Sequence, residues 1–175
     1  PPRRAGDPTM SDNGAMPALA HPLMRSPPAL DLRPMQAPDL EAVVLLEQQV
    51  YPQPWTRGNF ADALAAGYHA QCLHHGGELC GYVVAMAGVE EAHLLNITVA
   101  RPLQGQGLGR LLWRHLCAWA PSIGAERIWL EVRRSNTAAR DIYTHWGFET
   151  VGERKNYYPA GRGQREDAVV MGLTL

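Results

Sequence analysis

The run Gln104-Gly105-Gln106-Gly107-Leu108-Gly109-Arg110 constrains this chain more than any other segment. An apolar stretch, Leu94 to Val99, precedes it, and an amphipathic stretch, Leu108 to Trp119, follows it. Leu108, Leu111, Leu112, His115, Leu116 and Trp119 recur at the spacing that lays one apolar stripe along a helix. A strand, a glycine-rich turn and a helix are expected in that order. Glycines at 105, 107 and 109 remove the Cβ atoms that keep a ligand away from backbone. The N–H groups that open the helix carry the positive end of its dipole. This is a cradle suited to a phosphate-bearing cofactor and needing no metal ligand, with a simple glycine-rich helix cap as the alternative. Two other phosphate loops are excluded. A P-loop ends in Gly-Lys-Ser/Thr where this chain has Gly109-Arg110-Leu111, and a dinucleotide fingerprint is spaced G-x-G-x-x-G after a first strand.

Composition narrows the classes further. The 175 residues, 46% hydrophobic and 19% charged, suit one soluble domain with a sizeable core. A net charge of −1 gives no general attraction to nucleic acid or to an anionic membrane. Cys72, Cys80 and Cys117 lack C-x-x-C spacing, which argues against a disulfide framework or zinc site and for a reducing, cytoplasmic setting. His74-His75 is expected at an exposed hairpin end rather than on a metal. No apolar run is long enough for a membrane helix, and the first residues lack the apolar core of a signal peptide. Residues 1–29 carry seven of the fourteen prolines and no apolar period, so they read as a disordered or extended leader before a domain over 30–175.

Within that domain, Leu30, Leu32 and Met35 give a short strand broken at Pro34. Pro38-Asp39 starts a helix with Leu40, Val43, Val44 and Glu47 on one side, and Thr56 caps a second helix carrying Phe60 and Leu64. Residues 69–75 and 78–87 form a hairpin joined at Gly76-Gly77, and 92–99 is the next strand. After the glycine loop and its helix comes a strand over Arg127 to Val132. Ser135 or Asn136 then caps a helix with Ala139, Ile142, Tyr143 and Trp146 inside, ended by Gly147. Phe148 to Arg154 and Ala168 to Leu173 close the sheet. The order predicts a mixed α/β sheet with helices on both faces.

These residues resemble a known family. The element order, the loop Gln104-Gly105-Gln106-Gly107-Leu108-Gly109, and the run Leu130-Glu131-Val132-Arg133-Arg134-Ser135-Asn136 with Ala139, Tyr143 and Gly147-Phe148 resemble the GNAT acetyltransferase superfamily. Tyr51-Pro52-Gln53-Pro54-Trp55, Asn96-Ile97-Thr98-Val99, Trp129-Leu130-Glu131-Val132-Arg133, Asn156-Tyr157-Tyr158-Pro159 and Glu166-Asp167-Ala168 look like the bacterial ribosomal-protein-alanine N-acetyltransferases. The resemblance spans about Leu30 to Leu175. It implies a mostly antiparallel sheet of six to seven strands with a splayed central pair, acetyl-CoA as cofactor, and the α-amine of an N-terminal alanine as acceptor. The implied acceptor protein is the eighteenth of the small ribosomal subunit, or another protein with a small first residue.

The same resemblance implies the roles of individual residues. The pyrophosphate would sit on the N–H groups of Gln104, Gly105, Gln106, Gly107, Leu108, Gly109 and Arg110. The pantetheine arm would pair with the backbone of Ile97, Thr98 and Val99, and Asn136 would contact the cofactor if it is not simply a helix cap. Glu131 alternates away from Ile128, Leu130 and Val132, and a mid-strand carboxylate on that face suits a general base, with Arg133 placed to hold it ionised. Tyr143 matches the general acid that protonates the leaving sulfur, with a core tyrosine as the plain alternative. Trp55, Tyr157 and Tyr158 would wall the acceptor groove beside a flexible loop, Pro159 to Gly163, and Glu166 and Asp167 would attract a basic peptide. Cys117 falls within a helix and is expected to pack rather than react. A monomer is expected. Competing readings are a GNAT acting on a lysine side chain or small amine, and a non-catalytic acetyl-CoA-binding module, which an intact Glu131 and Tyr143 disfavour.

Overall fold

The structure is a computed structural model that describes residues 29–175. The segment expected as a leader lies outside the described residues except for its last one.

The chain opens with β1 (Leu30–Pro34), a 3-10 turn (Ala37–Asp39) and α1 (Leu40–Val50). Pro38 fits the first turn because its missing N–H has no partner to lose there. A second helix, α2 (Arg57–Ala65), starts at Thr56, whose hydroxyl accepts the Asn59 N–H at 3.2 Å while Asn59 Oδ1 accepts the Thr56 N–H at 2.8 Å. Strands β2 (His69–His75) and β3 (Glu78–Ala87) meet at Gly76 and Gly77, with φ of 62° and 89°. Next come β4 (Glu91–Val99), α3 (Leu108–Ser122), β5 (Arg127–Arg133), α4 (Thr137–His145), β6 (Glu149–Gly161) and β7 (Gln164–Thr174).

The seven strands lie in the order β1-β2-β3-β4-β5-β7-β6, and β4 with β5 is the one parallel pair in that sheet. A parallel neighbour needs a long crossover, which the glycine loop and α3 supply. That pairing holds only from Glu91 to Leu94 against Arg127 to Leu130. Beyond Leu94 the two strands part, which is the expected splay.

Two apolar clusters flank the sheet. Leu94, Ile128, Leu130, Val132, Val169 and Met171 pack on one face with Leu112 and Leu116 of α3. On the other face Cys72, Tyr82 and Val84 pack with Val43 and Leu46 of α1 and Phe60 of α2. That second layer stops short of β5 and β7, where Trp129, Glu131 and Val170 line an open cleft.

Two expectations change. Ile142, expected inside α4, is 48% exposed, whereas Ala139, Tyr143 and Trp146 pack against the core. The helix meets the core along one narrow stripe, and Ile142 falls beside it. The last two strands run much further than expected, so Pro159 to Gly161 is strand rather than flexible loop, closed at Arg162 and Gly163 with φ of 48° and 74°. Strand β6 forms the sheet edge, is exposed along nearly its whole length, and slips register three times. An edge strand tolerates Pro159 and a polar sequence, so its pattern does not read as a strand.

Candidate active site

The glycine loop is held by its own side chains. Gln104 Nε2 donates to the Val99 carbonyl at 3.0 Å, and Gln106 Nε2 to the Pro102 carbonyl at 3.2 Å. Gly105 and Gly107 have φ of 75° and 86°, and Gly107 is the N-cap of α3. The first helical bond runs from the Leu111 N–H to the Gly107 carbonyl at 3.1 Å. Among the described residues, the N–H groups from Gly105 to Arg110 meet no acceptor. A Cβ at 105 or 107 would meet nothing within 4 Å, so open space lies in front of the loop. Free amides, a helix start and open space fit a diphosphate. Arg110 is exposed and shares a shallow depression with Gly107, Arg114 and His115.

Strand β4 supplies the second part. The Ala100 N–H bonds to the Cys80 carbonyl at 2.9 Å, so in the antiparallel alternation Thr98 also turns its backbone to β3. Ile97 and Val99 turn theirs to the gap that β5 leaves. The Ile97 carbonyl accepts the Tyr51 hydroxyl at 3.1 Å, and the Val99 carbonyl accepts Gln104. Of the three residues expected along the cofactor arm, two present their backbone there. Thr98 is buried, with its hydroxyl against Tyr51 and Asn96.

A cleft of about 560 Å³ opens beside the gap. Trp55 stands on one side, Tyr157 and Tyr158 on the other, and Glu131 between them. Arg154 Nε forms an ion pair with Glu131 Oε1 at 2.8 Å. The same carboxylate lies close enough to the Tyr157 phenol to push its pKa up, with burial adding to the shift. The Tyr158 hydroxyl donates to the Glu131 carbonyl at 3.0 Å. Trp55 packs on Phe60 with ring centroids 5.2 Å apart.

Arg133 does not serve Glu131. Its guanidinium donates to the Pro159 carbonyl at 2.9 Å and to Glu166 at 3.3 Å, and lies 4.5 Å from the Tyr158 ring centroid. Arg154 reaches the carboxylate from the neighbouring edge hairpin, a contact invisible without the long β6. Glu166 and Asp167 are likewise not free to attract a peptide. Glu166 accepts the Ser135 N–H at 2.6 Å beside Arg133, while Asp167 accepts Lys155 at 2.8 Å and the Asn156 N–H at 3.0 Å. Those partners hold both carboxyls below their ordinary range.

Tyr143 lies on α4 with its ring 5.8 Å from Phe148 and 5.9 Å from Trp146. Burial raises its pKa above the ordinary 10, and the Tyr51 and Tyr158 phenols add to the shift. Asn136 caps α4, its Oδ1 accepting the Ala139 N–H at 3.1 Å. Burial lifts the Cys117 thiol to about 11, which leaves little thiolate at neutral pH. Among the described residues no three His, Cys, Asp or Glu side chains gather as a metal site.

Sequence reading missed three features. Arg154 is one. The second also lines the cleft, where Glu91 accepts Trp129 Nε1 at 2.8 Å and meets His93 Nε2 at 2.7 Å. The third is a polar network around Glu47, 2% exposed, that receives the Trp55 N–H at 2.9 Å, the Tyr82 hydroxyl and the Asn96 amide. A charged residue on the apolar stripe of α1 was the available signal.

The model of the acetyltransferase (GNAT) family matches residues 40–148. The chain is 37% identical over 141 residues to the [ribosomal protein bS18]-alanine N-acetyltransferase of Escherichia coli K12, covering 81% of this chain and 95% of that protein. The Haemophilus influenzae protein of the same name is also 37% identical, over 81% of this chain and 96% of its own. The crystal structure of the Escherichia coli ribosomal-protein-S18-alanine N-acetyltransferase superposes with a TM-score of 0.76 at 35% identity, covering 83% of this chain and 94% of that one. Arabidopsis thaliana Naa50, solved with the bisubstrate analogue CoA-Ac-MVNAL, shares the fold with a TM-score of 0.72 at 22% identity, over 83% and 99% of the chains.

Proposed function

The chain belongs to the GNAT acetyltransferase family and is an acetyl-CoA-dependent N-acetyltransferase, and from that premise we propose that it acetylates the α-amine of an N-terminal alanine, that of ribosomal protein bS18. The curated relatives named for that reaction support this reading, since each aligns over nearly its full length. The observation that carries it is Glu131, a carboxylate in an aromatic-walled cleft at the point where β4 leaves β5. Acetyl-CoA supplies a thioester whose carbonyl carbon accepts an amine and whose sulfur leaves as a thiol.

The chain's own groups then have these tasks. The free amides from Gly105 to Arg110, with Gln104 bracing the loop, hold the diphosphate. The backbone of Ile97 and Val99 lines the arm of the cofactor, and an N–H there polarises the reacting carbonyl. An α-amine has a pKa near 8, so part of it is charged at neutral pH and must lose a proton before it attacks. Glu131 takes that proton, directly or through a water. Arg154, paired with it, orients its carboxylate. Tyr143, kept protonated by burial, gives its proton to the departing sulfur, and the attacking nitrogen sheds its second proton to solvent, from which Tyr143 is reprotonated. Trp55, Tyr157 and Tyr158 hold the first residues of the acceptor. The enzyme works as a monomer in the cytoplasm.

Mass spectrometry tests this with a basic peptide starting in Ala, the same peptide blocked at its N-terminus with an internal Lys, and a polyamine. One acetyl group on the Ala α-amine alone is expected. Modification only of lysine or polyamine would refute the N-terminal reading.

A further inference from the structure

We infer that Glu47 is a positioning residue for the acceptor: its buried carboxylate clamps the turn that carries Trp55 to the free half of β4. This rests on the acetyltransferase reading above, with a peptide amine as acceptor.

Glu47 is 2% exposed, and among the described residues no salt bridge reaches it. Its carboxylate has about four acceptor positions. The Trp55 backbone N–H takes one at 2.9 Å, the Tyr82 hydroxyl bonds to Oε2, and the Asn96 amide lies 3.3 Å from each oxygen. An apolar side chain would fill the same space without the desolvation cost of a buried charge. The charge does what an apolar side chain would not, because it joins two separate segments of chain through directed bonds.

Those segments flank the reaction. Trp55 lines the acceptor cleft. Asn96 sits two residues past Leu94, the last β4 residue paired with β5. Beyond Asn96, the Thr98 hydroxyl donates to Asn96 Oδ1 at 3.0 Å. The Tyr51 hydroxyl packs 3.1 Å from the Thr98 oxygen and gives its own proton to the Ile97 carbonyl at 3.1 Å. Hydrogen bonds therefore run from the acceptor wall through Glu47 and Asn96 to Thr98 of β4, and a polar contact carries them on to Tyr51, which holds the strand edge that faces the acetyl donor. An attacking amine must sit about 3–3.5 Å from its target carbon, so a wall that shifts loses productive binding of the acceptor, which is read as a higher acceptor KM. A fixed spacing between the two walls supplies that geometry. Glu47 does not line the cleft, so it is placed to position rather than to touch the acceptor.

Three variants test this. E47Q keeps the shape but turns one oxygen into a donor that faces Asn96 and Tyr82. N96A cuts the β4 side alone, at a partly exposed position that leaves the fold intact if E47Q does not fold. Y82F removes a donor that belongs to neither wall. For E47Q the acceptor KM is expected to rise at least about tenfold, with acetyl-CoA Kd by calorimetry within about threefold and the pH–rate midpoint unmoved. N96A raises the acceptor KM at least about threefold, and Y82F leaves it within about twofold. Unchanged acceptor KM in both E47Q and N96A, an acetyl-CoA Kd that rises in step, or the same effect in Y82F would overturn the clamp. The wild-type enzyme first identifies the acceptor. If it modifies only lysine or a polyamine, the N-terminal reading fails, and the same comparison with that amine still decides the clamp. Hydrogen exchange of the Trp55 amide needs no acceptor: exchange at least about tenfold faster in E47Q supports the clamp, and unchanged exchange overturns it.

Discussion

Gly107 and Gly109 both stand at the start of α3, yet alanine should affect them in opposite directions. Gly107 has φ of 86°, where an L side chain is strained, although its Cβ would meet nothing within 4 Å. The cost of G107A is thus conformational, about 1–2 kcal/mol for a left-handed backbone. For a chain of this size that lowers Tm by about 2–8 °C. Gly109 lies inside the first turn, and a Cβ there would meet only Val99 Cγ2 at 3.9 Å and Trp146 at 4.0 Å, ordinary contact distances. G109A should stabilise the protein by about 0.5 kcal/mol, because alanine restricts the unfolded chain more than glycine does. Binding separates the two further. Relief of backbone strain in G107A rotates the free N–H groups of Leu108 and Gly109 away from the diphosphate. Hydrogen bonds to a charged partner contribute about 1.5–3 kcal/mol each, so G107A should weaken acetyl-CoA at least about tenfold. G109A should leave Kd within about threefold. Thermal melting without ligand and titration calorimetry with acetyl-CoA read the two effects. Equal affinity in both variants, or a loss of stability in G109A, would refute the account of the cradle.

Other predictions concern the chemistry and the core. E131Q should lower kcat/KM for an Ala peptide about a hundredfold with acetyl-CoA affinity unchanged, and a loss under about threefold would remove Glu131 from the role of base. With wild-type enzyme, kcat/KM should rise with pH through about 8 as the acceptor amine deprotonates. The raised pKa of Tyr143 means no alkaline decline before about pH 10; a decline near pH 9 would speak against Tyr143 as the acid, as would full activity of Y143F. His69 is held at about 4 against its ordinary 6.5 by burial first and by His115 second. The unfolded chain therefore binds the proton first, so stability is complete above about 6.5 and falls as pH drops toward 4, by about 1–2 kcal/mol after allowance for partial exposure. Urea unfolding of H69F should show a flatter pH dependence over that window, and an unchanged slope would refute the assignment.

Much of the site was legible because it rests on local rules. The glycine loop, the α3 stripe and the alternation that separates Glu131 from Leu130 follow from residues close in sequence. The partners of Glu131 were not. Arg133 lies two residues away, but the carboxylate is paired with Arg154 and faces Tyr157, which arrive on an edge strand whose polar sequence and register slips hide it. Glu166 and Asp167 read as free charges until the hairpin brought Arg133, Lys155 and backbone N–H groups against them.

The order of elements, the strand–loop–helix cradle and the side chains able to carry acyl-transfer chemistry follow from the amino-acid sequence, since each depends on local periodicity, backbone freedom or residue type. Packing in three dimensions settled which charges meet and which face of β5 stays open. It also settled how Glu47 reaches Asn96, 49 positions along the chain, and ties it to the turn at Trp55. Contacts between residues far apart in sequence are set by how layers pack, and no local pattern encodes that distance.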